Sequence, residues 1–332
     1  MNTTPSTPNY IENYYIVCSI SGFFALNAVA LSCVILIVTR RTKPRLHTVR
    51  HILMCNTCVA SIFYCIVQIV NYIYLIFLPD ITSDISCRWR GYLSYVAITG
   101  VTYSFLIQAI SRLFITIFSA NHKWLTAFKV HLILIGIQWI LAICLPLPAI
   151  ITDDIYFRPR ALCWVPLRSL LHVIYTYVVY YTIPAALIGI IYLLIYFRVR
   201  EISNRNEMLI GMKNNEKRNL ELLRNILILL FIYFTGGIPT LLFLLTTNRV
   251  LYLIGIVTIS LTVAIEKLCT IILDRELQQV VRQILTSRTK VLPLNNTQTP
   301  AHLDNRTRPQ RTPMPTIESY GKRPLRCYET VI

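Results

Sequence analysis

One pair of oppositely charged residues, Glu266 and Lys267, stands inside a long apolar stretch of the sequence. Ionisable side chains in such a stretch are costly, and they are usually functional or paired with one another. We therefore predict that the Lys267 ammonium group partly neutralises the Glu266 carboxylate. In the alternative, both side chains lie close enough to the end of their helix to reach water.

Residues typical of hydrolytic or metal centres are not grouped along the sequence. The six histidines are scattered, at His47, His51, His122, His131, His172 and His302. Their spacing matches neither a metal-ligand motif nor a membrane-protease motif. We therefore expect no enzymatic activity, no metal site and no cofactor.

The segments that must position these residues are unusually apolar. Of 332 residues, 55% are hydrophobic and 14% are charged, whereas soluble domains have about 45–50% and about 25% respectively. A helix needs about 20 mostly apolar residues to span a bilayer. Seven segments meet this requirement: 14–38, 52–78, 92–118, 130–151, 170–197, 226–245 and 251–273. Because they are continuous rather than alternating, they exclude a β-barrel and predict an all-α membrane protein, a seven-transmembrane helix bundle.

The basic residues are distributed unevenly between the two sides of this bundle. A net charge of +17 would suit nucleic acid binding in a soluble protein. Here 25 of the 32 lysines and arginines fall on one side of the segments and six on the other. Basic loops stay cytoplasmic, so the N-terminus is predicted to be extracellular and the C-terminus cytoplasmic, with no nucleic acid partner. No basic residue precedes the first segment, so we expect no cleavable signal peptide.

Four regions follow from this pattern: an extracellular N-terminus at 1–13, the bundle at 14–273, a short amphipathic interfacial helix at 274–286 and a disordered cytoplasmic tail at 287–332. The tail is rich in Thr, Pro, Asn and Arg and has no apolar period. The interfacial helix is predicted from a single apolar stripe that lies along the membrane. The residues of the stripe are Leu277, Val280, Val281, Ile284 and Leu285.

Short motifs occur at both ends of the sequence. Asn2 begins an Asn-Thr-Thr sequon and is a candidate glycosylation site. At the other end, Thr330 stands two residues before the terminal Ile332. This is the pattern that PDZ domains bind by strand addition and capture of the carboxylate, so a PDZ-domain protein is a candidate partner. The alternative is a chance match, which is common for so short a motif.

Two of the ten cysteines, Cys87 and Cys163, fall outside the apolar segments on the predicted extracellular side. Disulfides form in that oxidising environment. A bond between the two would tie the loop before the fifth segment to the start of the third, across the mouth of the bundle. The alternative is two unpaired surface thiols.

Arg112 follows Cys87 by 25 residues, which is about 37 Å of helix and therefore enough to cross from one membrane interface to the other. Further landmarks occur in order along the chain: Gly22 with Asn27, Trp139 with Pro148, Pro184 with Tyr192, Pro239, and the segment 274–277. On these residues the sequence resembles the rhodopsin-like family of G-protein-coupled receptors, over residues 14–286. The resemblance implies a plasma-membrane receptor that binds an extracellular ligand and activates a heterotrimeric G protein.

The resemblance also implies roles for three residues. Helix 6 of the family pivots at a proline, here Pro239, whose missing N–H weakens the helix. The pivot opens a cavity on the inner face, where Arg112 and Tyr192 would lie and where Arg112 would contact the G protein. In the alternatives, Arg112 is an interfacial arginine whose charge reaches water, and Tyr192 is a packing aromatic.

Several family positions hold unusual residues in this sequence. Ser111 replaces the acid before the helix 3 arginine, Ser61 replaces the helix 2 acid that helps to bind sodium, and Gly237 replaces a tryptophan. The helix 7 Asn-Pro-x-x-Tyr motif aligns with residues 266–270. We interpret this as a divergent member in which the central carboxylate has moved to Glu266, facing Asn27 and Ser61.

The ligand is predicted to bind between the outer halves of helices 3, 5, 6 and 7, beneath the loop that holds Cys163. Ser94 occupies the position of the amine-receptor aspartate, which argues against biogenic amines, and Ser260 that of the retinal lysine, which argues against light sensing. The charged residues of the outer loops are compatible with a charged peptide as the ligand. The candidate pocket residues are Ser94, Tyr95, Ile98, Tyr175 and Tyr177.

Two other functions remain open from the sequence. A membrane transporter or ligand-gated channel is disfavoured by the lack of internal repeats and by the charge asymmetry. An adhesion protein is disfavoured by the short extracellular N-terminus.

Overall fold

A computed structural model of the chain describes residues 9–41, 48–78, 83–118, 123–157, 162–166, 168–205, 228, 231–232, 235–243, 245–246, 248–274 and 277–280. The chain divides into two compact units, Met1–Thr289 and Lys290–Ile332. All the described residues belong to the first unit. The predicted glycosylation site Asn2 and the whole predicted cytoplasmic tail, 287–332, lie outside the described residues, and so therefore do the PDZ-type residues Thr330 and Ile332.

The described part of the first unit is helical. Its helices are α1 (Asn9–Arg41), α2 (Val49–Phe77), α3 (Asp84–Leu113, continued by a π turn at Phe114–Phe118), α4 (Phe128–Cys144, continued after a turn by Leu147–Ile151), α5 (Leu170–Tyr177, a π turn at Val178–Thr182, then Ile183–Arg205), α6 (235–243) and α7 (Arg249–Leu273). Two helix starts carry side-chain caps, in which Ser83 accepts from the Ser86 N–H and Asn248 accepts from the Val250 N–H. Such caps satisfy backbone donors that the first turn leaves unpaired.

Six helices of the described part are long and apolar enough to cross a membrane. Each also leaves large apolar side chains uncovered on one face, for example Phe23 (63% exposed) on α1 and Ile133 (62% exposed) on α4. Continuous exposed apolar faces of this extent require an apolar solvent. Together with α6, which falls in the predicted sixth segment, they make the chain a multi-pass helical membrane protein.

The centre of the bundle is α3. It packs against α2, α4 and α5, while α1 packs against α2 and α7. Small residues permit close approach, since Ala97 and Ala109 of α3 and Ala25 and Ala28 of α1 are at most 1% exposed. The helix that carries Cys87 and Arg112 is thus held on several sides.

A π turn interrupts α5 at Val178–Thr182, and only Ile183 separates it from Pro184. Proline has no N–H, so a regular helix would leave the carbonyl of the residue four positions earlier without its partner. Instead the Ile183 N–H donates to the Val178 carbonyl, a wider turn that absorbs the irregularity. Tyr180 and Tyr181 lie within this turn, so its geometry sets the direction of their side chains.

The first turn after α7 is fixed by Asp274 and Leu277. The Asp274 carboxylate accepts a hydrogen bond from the Leu277 N–H, and Leu277 is fully buried against Ile35 and Met54. Residues 277–280 are helical. The remainder of the predicted amphipathic helix, to residue 286, lies outside the described residues, so that helix stays a prediction.

Candidate functional site

A disulfide joins Cys87 at the start of α3 to Cys163, with 5.3 Å between their Cα atoms. This confirms the pairing predicted from the sequence. The bond brings the loop segment 162–166 over the end of the bundle, where Leu162 and Val165 are buried. The Val165 N–H donates to the Tyr95 hydroxyl at 3.0 Å. We call residues 162–166 the lid.

A cavity of about 180 Å³ lies in the bundle and is bounded by the lid residue Trp164. Its other walls come from α2, α3, α5, α6 and α7. Of the five predicted pocket residues, Tyr95, Ile98 and Tyr177 line the cavity.

The other two predicted pocket residues are engaged elsewhere in the structure. Ser94 accepts from the Asn71 amide and donates to the Arg90 carbonyl, and the Tyr175 hydroxyl donates to the Leu145 carbonyl. Each helical residue is rotated by about 100° from the next, and this rotation directs the Ser94 and Tyr175 side chains away from the cavity. Ser94 and Tyr175 are therefore absent from the cavity wall that the structure describes.

Four hydroxyl groups of the cavity wall form hydrogen bonds within the protein. The Tyr180 hydroxyl donates to the Leu145 carbonyl, and the Thr176 and Thr262 hydroxyls donate to carbonyls of their own helices. The Tyr95 hydroxyl accepts from the lid. The wall consequently presents mainly aromatic rings and methyl groups.

Two glycines of α6 form part of the wall. A Cβ atom at Gly237 would come within 2.6 Å of the Tyr181 hydroxyl, and one at Gly236 within 2.4 Å of the Thr262 hydroxyl. Contacts under 3.0 Å require a shift of the neighbour, so α6 approaches α5 and α7 closely only because these positions lack side chains. The sequence shows that Gly237 replaces the tryptophan usual in the family. It does not show that Tyr181 lies against this position.

Sequence reasoning missed several other lining residues. They include Tyr64, Trp164, Val173, Tyr180, Tyr181 and Thr262. The position of Trp164 directly after the disulfide cysteine is a usable signal, because the bond draws the loop towards the bundle. Tyr180 and Tyr181 give no such signal, because the π turn that contains them sets their rotation.

Farther along the bundle, Glu266 and Lys267 of α7 are buried, with 4% and 1% of their surfaces exposed. Their side chains form an ion pair with 2.8 Å between Nζ and a carboxylate oxygen. Such burial does not fit the alternative in which both reach water. Cys58 and Cys65 of α2 lie within electrostatic range of both charges.

Ser61 is fully buried on the same face of α2, between these two cysteines, as the relocated-carboxylate hypothesis requires. Asn27 does not meet that requirement. It is exposed on the outer face of α1, and its amide donates to the Phe23 carbonyl. The buried residues of α1 include Ala25 and Ala28, and Asn27 falls between these core-facing positions. The prediction that Glu266 faces Asn27 is therefore wrong.

At the end of the bundle opposite the lid, Arg112 lies within electrostatic range of Tyr192, Arg50 and Asp274. Asp274 is itself bound by Arg50 at 2.9 Å. Among the described residues, no ion pair includes Arg112. The buried Tyr192 ring and Arg112 thus lie near each other, and Pro239 lies within the helical residues 235–243 of α6.

Trp139 of α4 belongs to a buried polar network that fastens α4 to its neighbours. Its indole N–H donates to the Asn56 side chain, whose amide donates to Gln138 at 2.6 Å. The Gln138 amide donates to the Gly100 carbonyl of α3. The network explains why a tryptophan and two amides occupy an otherwise apolar interface.

Outside the membrane-spanning segments, Asp154 accepts hydrogen bonds from Thr152 and Ser169 and contacts His172. These contacts, with the Thr152 hydroxyl contributing most, hold the pKa of the Asp154 carboxyl below its ordinary value. The neighbouring Asp153 pairs with Arg88 of α3. Asp153 and Asp154 are thus both engaged by neighbouring side chains.

A membrane bundle with a lidded cavity at one end and an arginine–tyrosine pair at the other has the organisation of a transmembrane receptor. The chain matches the family described as 7 transmembrane receptor (rhodopsin family) over residues 30–272. It belongs to this family of G-protein-coupled receptors. The matched range includes both disulfide cysteines, Arg112 and Glu266, and it begins after Asn27. No individual curated protein shows significant similarity to the chain.

Proposed function

We propose that the chain is a plasma-membrane receptor that binds an extracellular ligand in the lidded cavity and activates a heterotrimeric G protein at the Arg112 end. The single observation that carries the proposal is the cavity itself. It is bounded by Trp164 of the disulfide-anchored lid and has α6 in its wall at Gly236 and Gly237. The excess of basic residues on the Arg112 side supports an extracellular lid and a cytoplasmic Arg112.

Coupling runs through α6 in this proposal. A ligand that contacts Gly237 meets α6 close to Pro239, where the missing N–H weakens the helix. Movement of α6 about Pro239 opens the opposite end of the bundle. There Arg112 and Tyr192 line the opened surface, and Arg112 contacts the C-terminal helix of the G protein.

Glu266 supplies the central charge of the activation path. Its carboxylate is buried and paired with Lys267, close to Cys58 and Cys65 on the face of α2 that carries Ser61. We expect Glu266→Gln to change basal or stimulated signalling at equal surface expression. Unchanged signalling in both conditions would remove Glu266 from the path.

A ligand screen that reads several classes of G protein tests the proposal. Hits should activate the wild-type chain and fail to activate Arg112→Ala at equal surface expression. The matched control is Arg198→Ala, because Arg198 is an exposed arginine of α5 paired with Glu201. Equal responses of the Arg112 and Arg198 variants would contradict the role of Arg112.

A further inference from the structure

We propose that the cavity takes an uncharged, predominantly aromatic small molecule whose buried part is about the size of a two-ring group, and that it does not take a peptide or an amine. The inference rests on the proposed receptor function for its biological meaning, since it assigns the chemical class of ligand to that same site. Its physical basis is independent of any G protein. It replaces the charged peptide that the outer loops left open.

The cavity has no charged lining residue among those that the structure describes. Its wall consists of tyrosine, tryptophan, aliphatic, threonine and glycine residues. The hydroxyls of Tyr95, Tyr180, Thr176 and Thr262 already exchange hydrogen bonds with the protein. A ligand that enters therefore meets mainly ring faces and methyl groups.

Four charged residues near the lid, among those that the structure describes, already have partners in the protein. Arg88 is paired with Asp153, Asp154 is held by three neighbouring side chains, and the Arg90 guanidinium lies 4.0 Å above the Tyr74 ring. A charged ligand that used one of these residues would have to break its contact, and one that stayed inside the cavity would find no charged partner in the described wall. An unpaired charge that leaves water is strongly disfavoured.

The described side of the lid is mainly apolar. Leu162 and Val165 are 3% and 8% exposed, and Trp164 packs edge-on against Tyr252 of α7 with ring centroids 6.2 Å apart. The backbone N–H of Val165 is used by Tyr95. A peptide backbone needs donors and acceptors along its length, and this described part of the lid offers it few.

The size of the cavity limits the group that it encloses. A cavity of about 150 Å³ with apolar walls binds benzene in another protein. The cavity here is about 180 Å³, which suits an indole-sized ring system. Aromatic ligands also gain offset or edge-to-face contacts with Tyr95, Tyr177 and Tyr180.

A cationic ligand is the main alternative, because the faces of aromatic rings attract cations and the wall is rich in tyrosine. An ammonium ligand would be held by those faces alone, without any carboxylate in the described wall. The loss of its water shell is then only partly compensated. The neutral ligand therefore binds more tightly than its cationic analogue of equal shape.

Three indoles of the same ring and different charge separate these possibilities: indole-3-ethanol (neutral), tryptamine (cationic) and indole-3-acetate (anionic). Binding is measured by saturation-transfer NMR on the purified full chain in nanodiscs of zwitterionic lipid, with empty nanodiscs subtracted. We expect indole-3-ethanol to bind at least tenfold more tightly than either charged analogue.

Two cavity-filling variants locate the binding. Gly237→Leu adds a side chain to the cavity wall on α6, where it displaces Tyr181, and Ile98→Trp fills the cavity from α3. Gly136→Leu is the matched control, because nothing lies within 4 Å of a Cβ atom at Gly136. Both filling variants should weaken indole-3-ethanol binding at least tenfold, and the control should not. Folding is checked by the thermal transition of each variant, and a variant that fails to fold leaves the other to decide.

The proposal is overturned if tryptamine or indole-3-acetate binds as tightly as indole-3-ethanol in a manner sensitive to cavity filling. It is also overturned if none of the three binds above empty nanodiscs, or if cavity filling leaves indole-3-ethanol binding unchanged. Arg112→Ala should keep full binding. Binding that survives while G-protein activation is never observed would contradict the proposed function and leave the ligand class intact.

Discussion

Removal of one charge from the buried Glu266–Lys267 pair should destabilise the protein strongly. At 2.8 Å, two unit charges in a medium of effective dielectric constant about 20 attract each other by about 6 kcal/mol. Desolvation of the two ions offsets much of this attraction, so the intact pair contributes little net stability. In Lys267→Met the carboxylate stays buried without its partner, at a cost of about 3–5 kcal/mol.

A double-mutant cycle isolates the effect of the pair. Glu266→Gln combined with Lys267→Met removes both charges, and it should be less destabilised than Lys267→Met alone by about 2–3 kcal/mol. The matched control is Arg198→Met, which breaks an exposed pair with Glu201 whose side chains are 51% and 45% accessible. Its cost should stay below about 1 kcal/mol.

Thermal unfolding of the purified receptor in one detergent provides the assay. At about 2–4 °C per kcal/mol, Lys267→Met should lower the midpoint by on the order of 10 °C. The double variant should recover most of that loss, and Arg198→Met should stay within about 3 °C of wild type. A Lys267→Met midpoint equal to wild type, or a double variant as unstable as Lys267→Met, would refute a buried and mutually dependent pair.

Three further predictions concern the lid end and the helix contacts. The Cys87→Ala/Cys163→Ala variant opens a loop with a sequence separation of 76 residues and should lose about 4.5 kcal/mol by the chain-entropy relation, measured as a lower thermal midpoint; an unchanged midpoint would contradict it. Asp154, whose pKa is lowered chiefly by the Thr152 hydroxyl, stabilises the folded state above its unfolded pKa, and this contribution disappears as pH falls through the lowered pKa. The midpoint should thus fall more steeply below about pH 4 in wild type than in Asp154→Asn, and parallel profiles would contradict it. Trp139→Phe leaves a buried amide oxygen without its indole donor and should cost about 1–3 kcal/mol; a loss below about 0.5 kcal/mol would contradict it.

The membrane bundle could be predicted from the sequence because its signal is long and one-dimensional. A span requires about 20 consecutive apolar residues, and such runs stand out without knowledge of their neighbours. The disulfide was equally accessible, since only Cys87 and Cys163 fall outside the spans on the predicted extracellular side. Both predictions depend on where residues lie along the chain rather than on how helices rotate.

The residues of the site were harder to predict, because the sequence does not show how each helix is rotated about its axis. Ser94 and Tyr95 are neighbours in sequence, but only Tyr95 lines the cavity. Asn27 is exposed although the next residue, Ala28, is fully buried. A change of one position turns a side chain by about 100°, and a landmark alone does not determine that rotation.

The cavity's composition depended on contacts between distant segments. Gly237 and Tyr181 belong to different helices, and their approach leaves no trace in the local sequence of either. The same holds for Trp164 and Tyr252. Such contacts are set by packing, which is why the uncharged character of the site emerged only from the assembled bundle.

Nucleotide exchange on purified G proteins tests the central claim most directly, namely that the Arg112 end of this receptor activates a G protein. Because Ser111 replaces the usual acid and no ion pair holds Arg112 among the described residues, we expect activity without ligand. The wild-type chain in nanodiscs should accelerate GDP release from at least one class of heterotrimer above empty nanodiscs. Arg112→Ala should abolish the acceleration and Arg198→Ala should retain it. No acceleration with any class, or equal acceleration by wild type and Arg112→Ala, would contradict the account.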